Sequence, residues 1–261
     1  PEPAPTLNAI AAAVATQEAA AAAEEAVRPT PAPMLDDSLE LVSPDGRHQL
    51  LFALRDGVPH YAVFRDRQPV VLPSRLGLSF LQQPSLAAGL TIVDWETGSH
   101  DETWTQPWGE VKEVRDHHNA LRVRLTTGGD APRLINLVFR AFNDGVAFRY
   151  ELPEQPHLDE FALMREHTEF ALPDDHEAWW IGAYLDNRYE YLYSQTPLSR
   201  LTNLATGAVH TPLTMATEDG LYLSIHEAAL VECSSMTLRA EENLVLSADL
   251  VPWSDGVLVY G

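Results

Sequence analysis

From Ser38 onward the chain is a succession of short runs in which Leu, Val, Ile, Phe and Tyr are spaced by polar residues and cut by Gly, Pro and Asp. Alternation at a period of two marks a half-buried strand. In Phe148-Arg149-Tyr150-Glu151-Leu152, Arg149 and Glu151 sit between apolar neighbours. The pattern predicts strands over residues 39–42, 49–55, 60–65, 76–81, 121–127, 133–142, 146–152, 213–217, 221–226, 236–239 and 244–248. Asp45-Gly46, Asp56-Gly57, Asp144-Gly145 and Asp219-Gly220 lie between such runs, and Asp-Gly readily takes the positive φ that tight hairpins require. Sustained helical periodicity is hard to find after residue 38, and no internal repeat is visible. Many short strands at regular spacing predict an all-β antiparallel sandwich or barrel.

Residues 1–37 read differently. Two Pro/Ala-rich stretches flank an Ala-dominated one with Glu18, Glu24 and Glu25. Ala favours helix, but this segment has almost no large apolar face to dock. It reads as a flexible Ala/Pro-rich linker, disordered or transiently helical, with a tether or coiled segment as the alternative. The division is then a linker over 1–37 and one β-domain over 38–261.

Composition narrows the partners. The net charge is −21, of which the linker holds −5 (six acids against Arg28) and the β-domain −16. Such a balance argues against nucleic acid, whose phosphates call for Lys and Arg, and against an anionic membrane surface. Lys112 is the only lysine among 17 basic residues, a bias that, with the Ala content, fits a GC-rich genome. Cys233 stands alone, so no intrachain disulfide and no zinc-finger spacing exist. No run of apolar residues is long enough to span a bilayer.

The usual catalytic signatures are missing: no Gly-rich phosphate loop, no G-x-S-x-G, no H-E-x-x-H. Four other clusters stand out. Asp101-Glu102-Thr103-Trp104-Thr105-Gln106-Pro107-Trp108-Gly109-Glu110 combines two Trp with three acids. Trp faces stack on sugar C–H surfaces and carboxylates accept hydroxyl hydrogen bonds, or else the two Trp plug the end of a sandwich core. Asp116-His117-His118-Asn119 evokes a metal, yet neighbours on a strand point to opposite faces, and surface or anchoring histidines fit as well. The stretch 179–193 holds Trp179, Trp180, four Tyr, Asp186 and Glu190. A Glu oxygen there suits Ca²⁺, which takes six to eight oxygens, or pairs with Arg188. Finally, His226-Glu227 ends a strand, facing a cleft or closing the sheet.

Together these segments resemble the amino-terminal domain of glycoside hydrolase family 97. The resemblance rests on Asp101-Glu102-Thr103-Trp104 with Pro107-Trp108-Gly109-Glu110 and His118-Asn119, and on Phe139-Arg140 with Phe142-Asn143-Asp144-Gly145-Val146 and Phe148-Arg149-Tyr150-Glu151. It rests also on Asp219-Gly220-Leu221-Tyr222 with His226-Glu227-Ala228-Ala229-Leu230. It runs over about residues 38–254. It implies a galactose-mutarotase-like β-super-sandwich that packs on a catalytic (β/α)₈ barrel in a bacterial α-glucosidase or α-galactosidase. The barrel of that family supplies the catalytic acid and the base or nucleophile, and none follows within this chain, so the chain alone is expected to be inactive. The domain contributes one Glu, before Tyr-x-Tyr, to an active-site Ca²⁺; here that is Glu190, with Asp186 the alternative. Trp104, Trp108, Glu110, His118, His226 and Glu227 are the pocket candidates for an α-glucoside or α-galactoside. The expected location is periplasmic or extracellular, with a signal peptide not present in this sequence. A stand-alone carbohydrate-binding module is the competing reading.

Overall fold

The computed structural model describes residues 35–156, 158, 160–185, 190–231 and 233–261. A first meander comprises β1 (Leu39–Val42), β2 (His48–Arg55), β3 (Val58–Arg65) and β4 (Gln68–Arg75). The short β5 (Leu78–Phe80) and β6 (Gln83–Leu86) follow. A second meander is β7 (Thr91–Thr105), β8 (Glu113–Thr126), β9 (Leu134–Phe142) and β10 (Val146–Glu151). Then come β11 (Ala162–Glu166), β12 (Glu169–Ala171), β13 (Glu177–Trp180), β14 (Ser194–Pro197), β15 (Val209–His210), β16 (Leu213–Ala216) and β17 (Tyr222–Ile225). The last are β18 (Met236–Ala240), β19 (Val245–Leu250) and β20 (Val259–Tyr260). The helical content of the described residues is two 3₁₀ turns, Leu198–Asn203 and Glu242–Leu244.

The turns explain the hairpins. Asp56 and Gly57 both take positive φ (51° and 75°) between β2 and β3, the mirror-image turn whose twist matches the flanking strands. Gly57 is needed twice over, because a Cβ there would lie 3.0 Å from the backbone of Gly89. Asp66 and Arg67 (φ 48° and 68°) make the same turn between β3 and β4 without glycine, and Asp66 is held by Arg47 through bonds of 3.0 and 2.6 Å. Between β9 and β10, by contrast, neither Asp144 nor Gly145 takes positive φ; the turn closes by the Phe142 N–H donating to the Gly145 carbonyl at 2.8 Å.

All strand pairings are antiparallel. One eight-stranded sheet, in the order β1-β2-β3-β4-β12-β19-β18-β15, is accompanied by three four-stranded ones: β10-β9-β8-β7, β20-β11-β5-β6 and β14-β13-β16-β17. Two cores lie along the long sheet. In the first, Leu50, Phe52, Tyr61 and Val63 pack with Leu121, Val123, Leu125, Ile135, Leu137 and Phe139. Phe52 meets Phe139 at 5.5 Å between ring centroids, and Tyr61 meets Phe148 at the same separation. In the second, Leu238 and Leu246 pack with Ala178, Leu213, Met215 and Ile225. Phe170 and Ala248 border both cores. The all-β sandwich expected from the alternation is therefore present, doubled along one continuous sheet. Leu35 is buried against Leu51, Ala53 and Ala62, so packing begins before β1. Most of the Ala/Pro-rich segment, residues 1–34, lies outside the described residues.

Candidate functional site

The β7–β8 hairpin outruns its sheet. The two strands pair from Thr91↔Thr126 to Thr105↔Glu113, while β9 accompanies β8 only from His118 to Thr126. Beyond His118 the hairpin is a two-stranded arm. Register places Trp104 opposite Val114, Glu102 opposite Asp116 and His100 opposite His118 on one face. Asp101 opposite His117 falls on the other, with Arg115 clamping Asp101 through two bonds of 2.7 Å. At the tip the Gln106 N–H donates to the Lys112 carbonyl and the Gln106 side-chain amide to that of Val111, each at 2.9 Å. Trp104 is 47% exposed and Trp108 85% exposed, and Glu110 is exposed beside them. Neither indole plugs a core end. Large exposed apolar groups rimmed by polar ones mark interaction sites.

His118 is different in kind. It is only 4% exposed, its Nδ1 lies 2.5 Å from Asp116 Oδ1, and its ring sits between His100 (5.2 Å) and Phe142 (4.9 Å). His117, one residue away, is on the opposite face, so the pair does not converge on one metal. His118 borders a shallow cavity of about 350 Å³ on the outer face of the sheet, floored by Gly98 and Ala120 and walled by Arg122 and Arg140.

The other candidates gather at one end of the sheet β14-β13-β16-β17. Trp180 pairs with Ser194 as the last rung of β13–β14, and the connection beyond it carries Glu190. β16 runs back from that end and β17 returns to it, since Leu213 pairs with Ile225. His226 therefore emerges at the end where Glu190 lies. Glu190 is exposed, whereas Asp186 lies outside the described residues. His226 is exposed, its Nδ1 2.6 Å from the Glu227 carbonyl. The Glu227 carboxylate turns inward and accepts the Met236 N–H at 2.7 Å, pinning the start of β18. Burial pushes the Glu227 carboxyl above its ordinary range. The Glu227 carboxylate is thus engaged with the β18 backbone while the His226 ring stays exposed.

One group of functional character was not singled out from sequence. Burial raises the Glu166 carboxyl, and the nearby Glu227 charge raises it further. Glu166 accepts from the Thr168 hydroxyl, which meets the Tyr150 hydroxyl at 2.8 Å. It borders a cavity of about 400 Å³ with Arg165, Arg239 and Asp249. Its run, Met164-Arg165-Glu166-His167, resembles any charged strand end. Among the described residues no group of three or more His, Cys, Asp or Glu side chains could hold a metal. Glu190, an exposed carboxylate, is of the type that could give one oxygen to a hard cation.

Comparison with known proteins agrees with this architecture. Residues 41–255 match the family described as glycosyl-hydrolase 97 N-terminal. A retaining alpha-galactosidase of Bacteroides thetaiotaomicron is 24% identical over 213 residues, covering 77% of this chain and 30% of that protein. A glycoside hydrolase family 97 enzyme from Pseudoalteromonas sp. strain K8, solved in complex with panose and with acarbose, superposes with a TM-score of 0.80 at 37% identity. That match covers 85% of this chain and 33% of the enzyme. A β-arabinopyranosidase shares the fold alone, at 19% identity and a TM-score of 0.75. The chain spans about a third of the length of these relatives. With the family match running from β1 nearly to β20, over both cores and the projecting arm, the chain belongs to the amino-terminal-domain family of glycoside hydrolase 97.

Proposed function

We propose that this chain is the part of an α-glycosidase that walls the sugar pocket and completes a Ca²⁺ site, working on α-glucosides or α-galactosides. The observation that carries this reading is the β7–β8 arm, which holds Trp104, Trp108 and Glu110 clear of the sandwich with no other strand among the described residues beside it. Indole faces and a carboxylate presented together suit a neutral sugar. Hydrolysis of a glycoside needs two carboxylates flanking the bond. Glu166 and Glu227, which are close enough to influence each other, are engaged inside the domain; on this reading the catalytic acid and the base or nucleophile belong to a (β/α)₈ barrel on which the arm packs. Glu190, exposed at the end of the β13–β14 hairpin, would give one oxygen to Ca²⁺. The bound ion would orient and polarise a sugar oxygen. On the same reading the protein works in the periplasm or outside a bacterial cell, where neutral oligosaccharides are met.

The test compares wild type with Glu190→Gln in the polypeptide that joins this domain to its barrel, using nitrophenyl α-glucoside and α-galactoside. The expected result is a loss of kcat/KM of roughly tenfold or more, as ligand-shell losses commonly give, with a weaker response to chelator. Unchanged turnover and unchanged chelator sensitivity would overturn the ligand role. Turnover by the 261-residue chain alone, well above blank, would overturn the assignment of catalysis to the barrel.

A further inference from the structure

The sheet β14-β13-β16-β17 buries one side and leaves the other partly open, with Trp179 half-buried and Tyr222, Gln195 and Ser224 exposed. Ala178, Leu213, Met215 and Ile225 face the second core. On the opposite side the register sets Gln195, Trp179, Thr214 and Ser224 in one row across the strands, and Pro197, Glu177, Ala216 and Tyr222 in the next. Trp179 and Tyr222 come from strands that are not neighbours. They meet over β16, where the small Ala216 leaves room, with ring centroids 6.0 Å apart and planes 31° from parallel. Tyr222 is 67% exposed. Thr214 Oγ1 and Ser224 Oγ lie 3.2 Å apart alongside, and Gln195 and Glu177 complete the rim.

We propose that this face is a stacking platform for a neutral oligosaccharide of α-linked hexose units, separate from the Trp104–Trp108 arm. The proposal rests on the glycosidase reading above. A pyranose ring offers C–H groups to a π face and hydroxyls at its edge; two rings near parallel, bordered by hydroxyls, an amide and one carboxylate, answer both requirements. Glu177 is the only charged residue in the two rows, and no cation stands among them to attract a polyanion. The position fits as well. Trp179 adjoins Trp180, whose rung with Ser194 closes the hairpin end that bears Glu190, and Tyr222 lies one row further from that end. A saccharide with one end at the Glu190 loop and its remaining units on this side of the sheet would pass over Trp179 and then Tyr222. The platform therefore serves chains longer than the bond being cleaved requires.

The experiment is calorimetric titration of the 261-residue chain with maltoheptaose and, in parallel, with stachyose, the fold of each variant being verified by circular dichroism. Wild type should bind at least one of them. Trp179→Ala and Tyr222→Ala should each weaken that binding roughly tenfold, as loss of an aromatic contact does. Tyr222→Phe, which keeps the ring, should retain most of it, and Trp253→Ala, at an indole 67% exposed and outside both the arm and this face, should change it by no more than about twofold. Tyr222 is exposed enough that its removal leaves the core untouched. The proposal is overturned if wild type binds neither sugar. It is overturned equally if Trp179→Ala and Tyr222→Ala leave binding intact. Neither result bears on Glu190, whose own assay uses substrates too short to reach the platform.

Discussion

Glu166 shows how one side chain can couple protonation to the fold. Its carboxyl is raised first by burial and then by the Glu227 charge. Through Thr168 it is joined to Tyr150, whose hydroxyl accepts the Gly77 N–H at 3.0 Å. A carboxyl whose folded value exceeds its unfolded value binds protons more tightly in the native state, so its contribution to stability is fully present below the unfolded value of about 4.3 and is lost as pH rises through the folded value. Glu166→Gln, which cannot ionise, should therefore raise the melting temperature at pH 8 and gain progressively less as pH falls toward 4. Melts across that range check the sign, and a gain that grows toward acid pH would contradict it. None of this was legible in Met164-Arg165-Glu166-His167, because the burial and the second carboxylate are supplied by segments distant in the chain. Glu190, by contrast, was singled out by the Tyr-x-Tyr beside it only as the family resemblance implies. Trp104 and Trp108 were legible as a cluster but not as exposed groups, since an indole's surroundings are not written in its neighbours.

At the scale of elements, alternation located β1, β2, β3, β8, β9, β10 and β16 to β19 to within a few residues at most ends, although β8 begins well before the alternating run. It missed β7, although β7 is the longest strand of all. The reason is physical: Thr91–Thr105 is exposed along its whole length, so no apolar face repeats at a period of two. Its strand character comes from pairing with β8, and its charged side chains suit an unpaired edge. The arm's tip depends on Gln106. Gln106→Ala removes the side-chain bond to Val111 and should loosen residues 106–112. Lysyl endopeptidase has a single site in the chain, Lys112, so one cut reports directly on this loop. The variant should be nicked several-fold faster than wild type, in the manner of a loop whose local opening has become easier; equal rates would show that the tip is held by other contacts.

At the scale of the whole molecule, two cores share one eight-stranded sheet and meet at Phe170 and Ala248. Phe139→Ala in the first should cost about 3–5 kcal/mol, and Leu238→Ala in the second about 2–5 kcal/mol. If the shared sheet makes the domain one cooperative unit, each variant lowers the midpoint of a single transition that circular dichroism and Trp fluorescence report together. Two separated transitions in either variant would show halves that melt independently. By itself the sequence determined the strand-rich character, most of the turns and the family, because local periodicity, turn chemistry and ordered motifs are properties of contiguous residues. Only the tertiary structure decided that Trp104 and Trp108 stand on an arm, that Glu227 binds the Met236 N–H, and that Trp179 and Tyr222 meet over Ala216. Each of those depends on register between strands far apart in the chain, and periodicity reports which face a residue occupies without reporting what lies across from it.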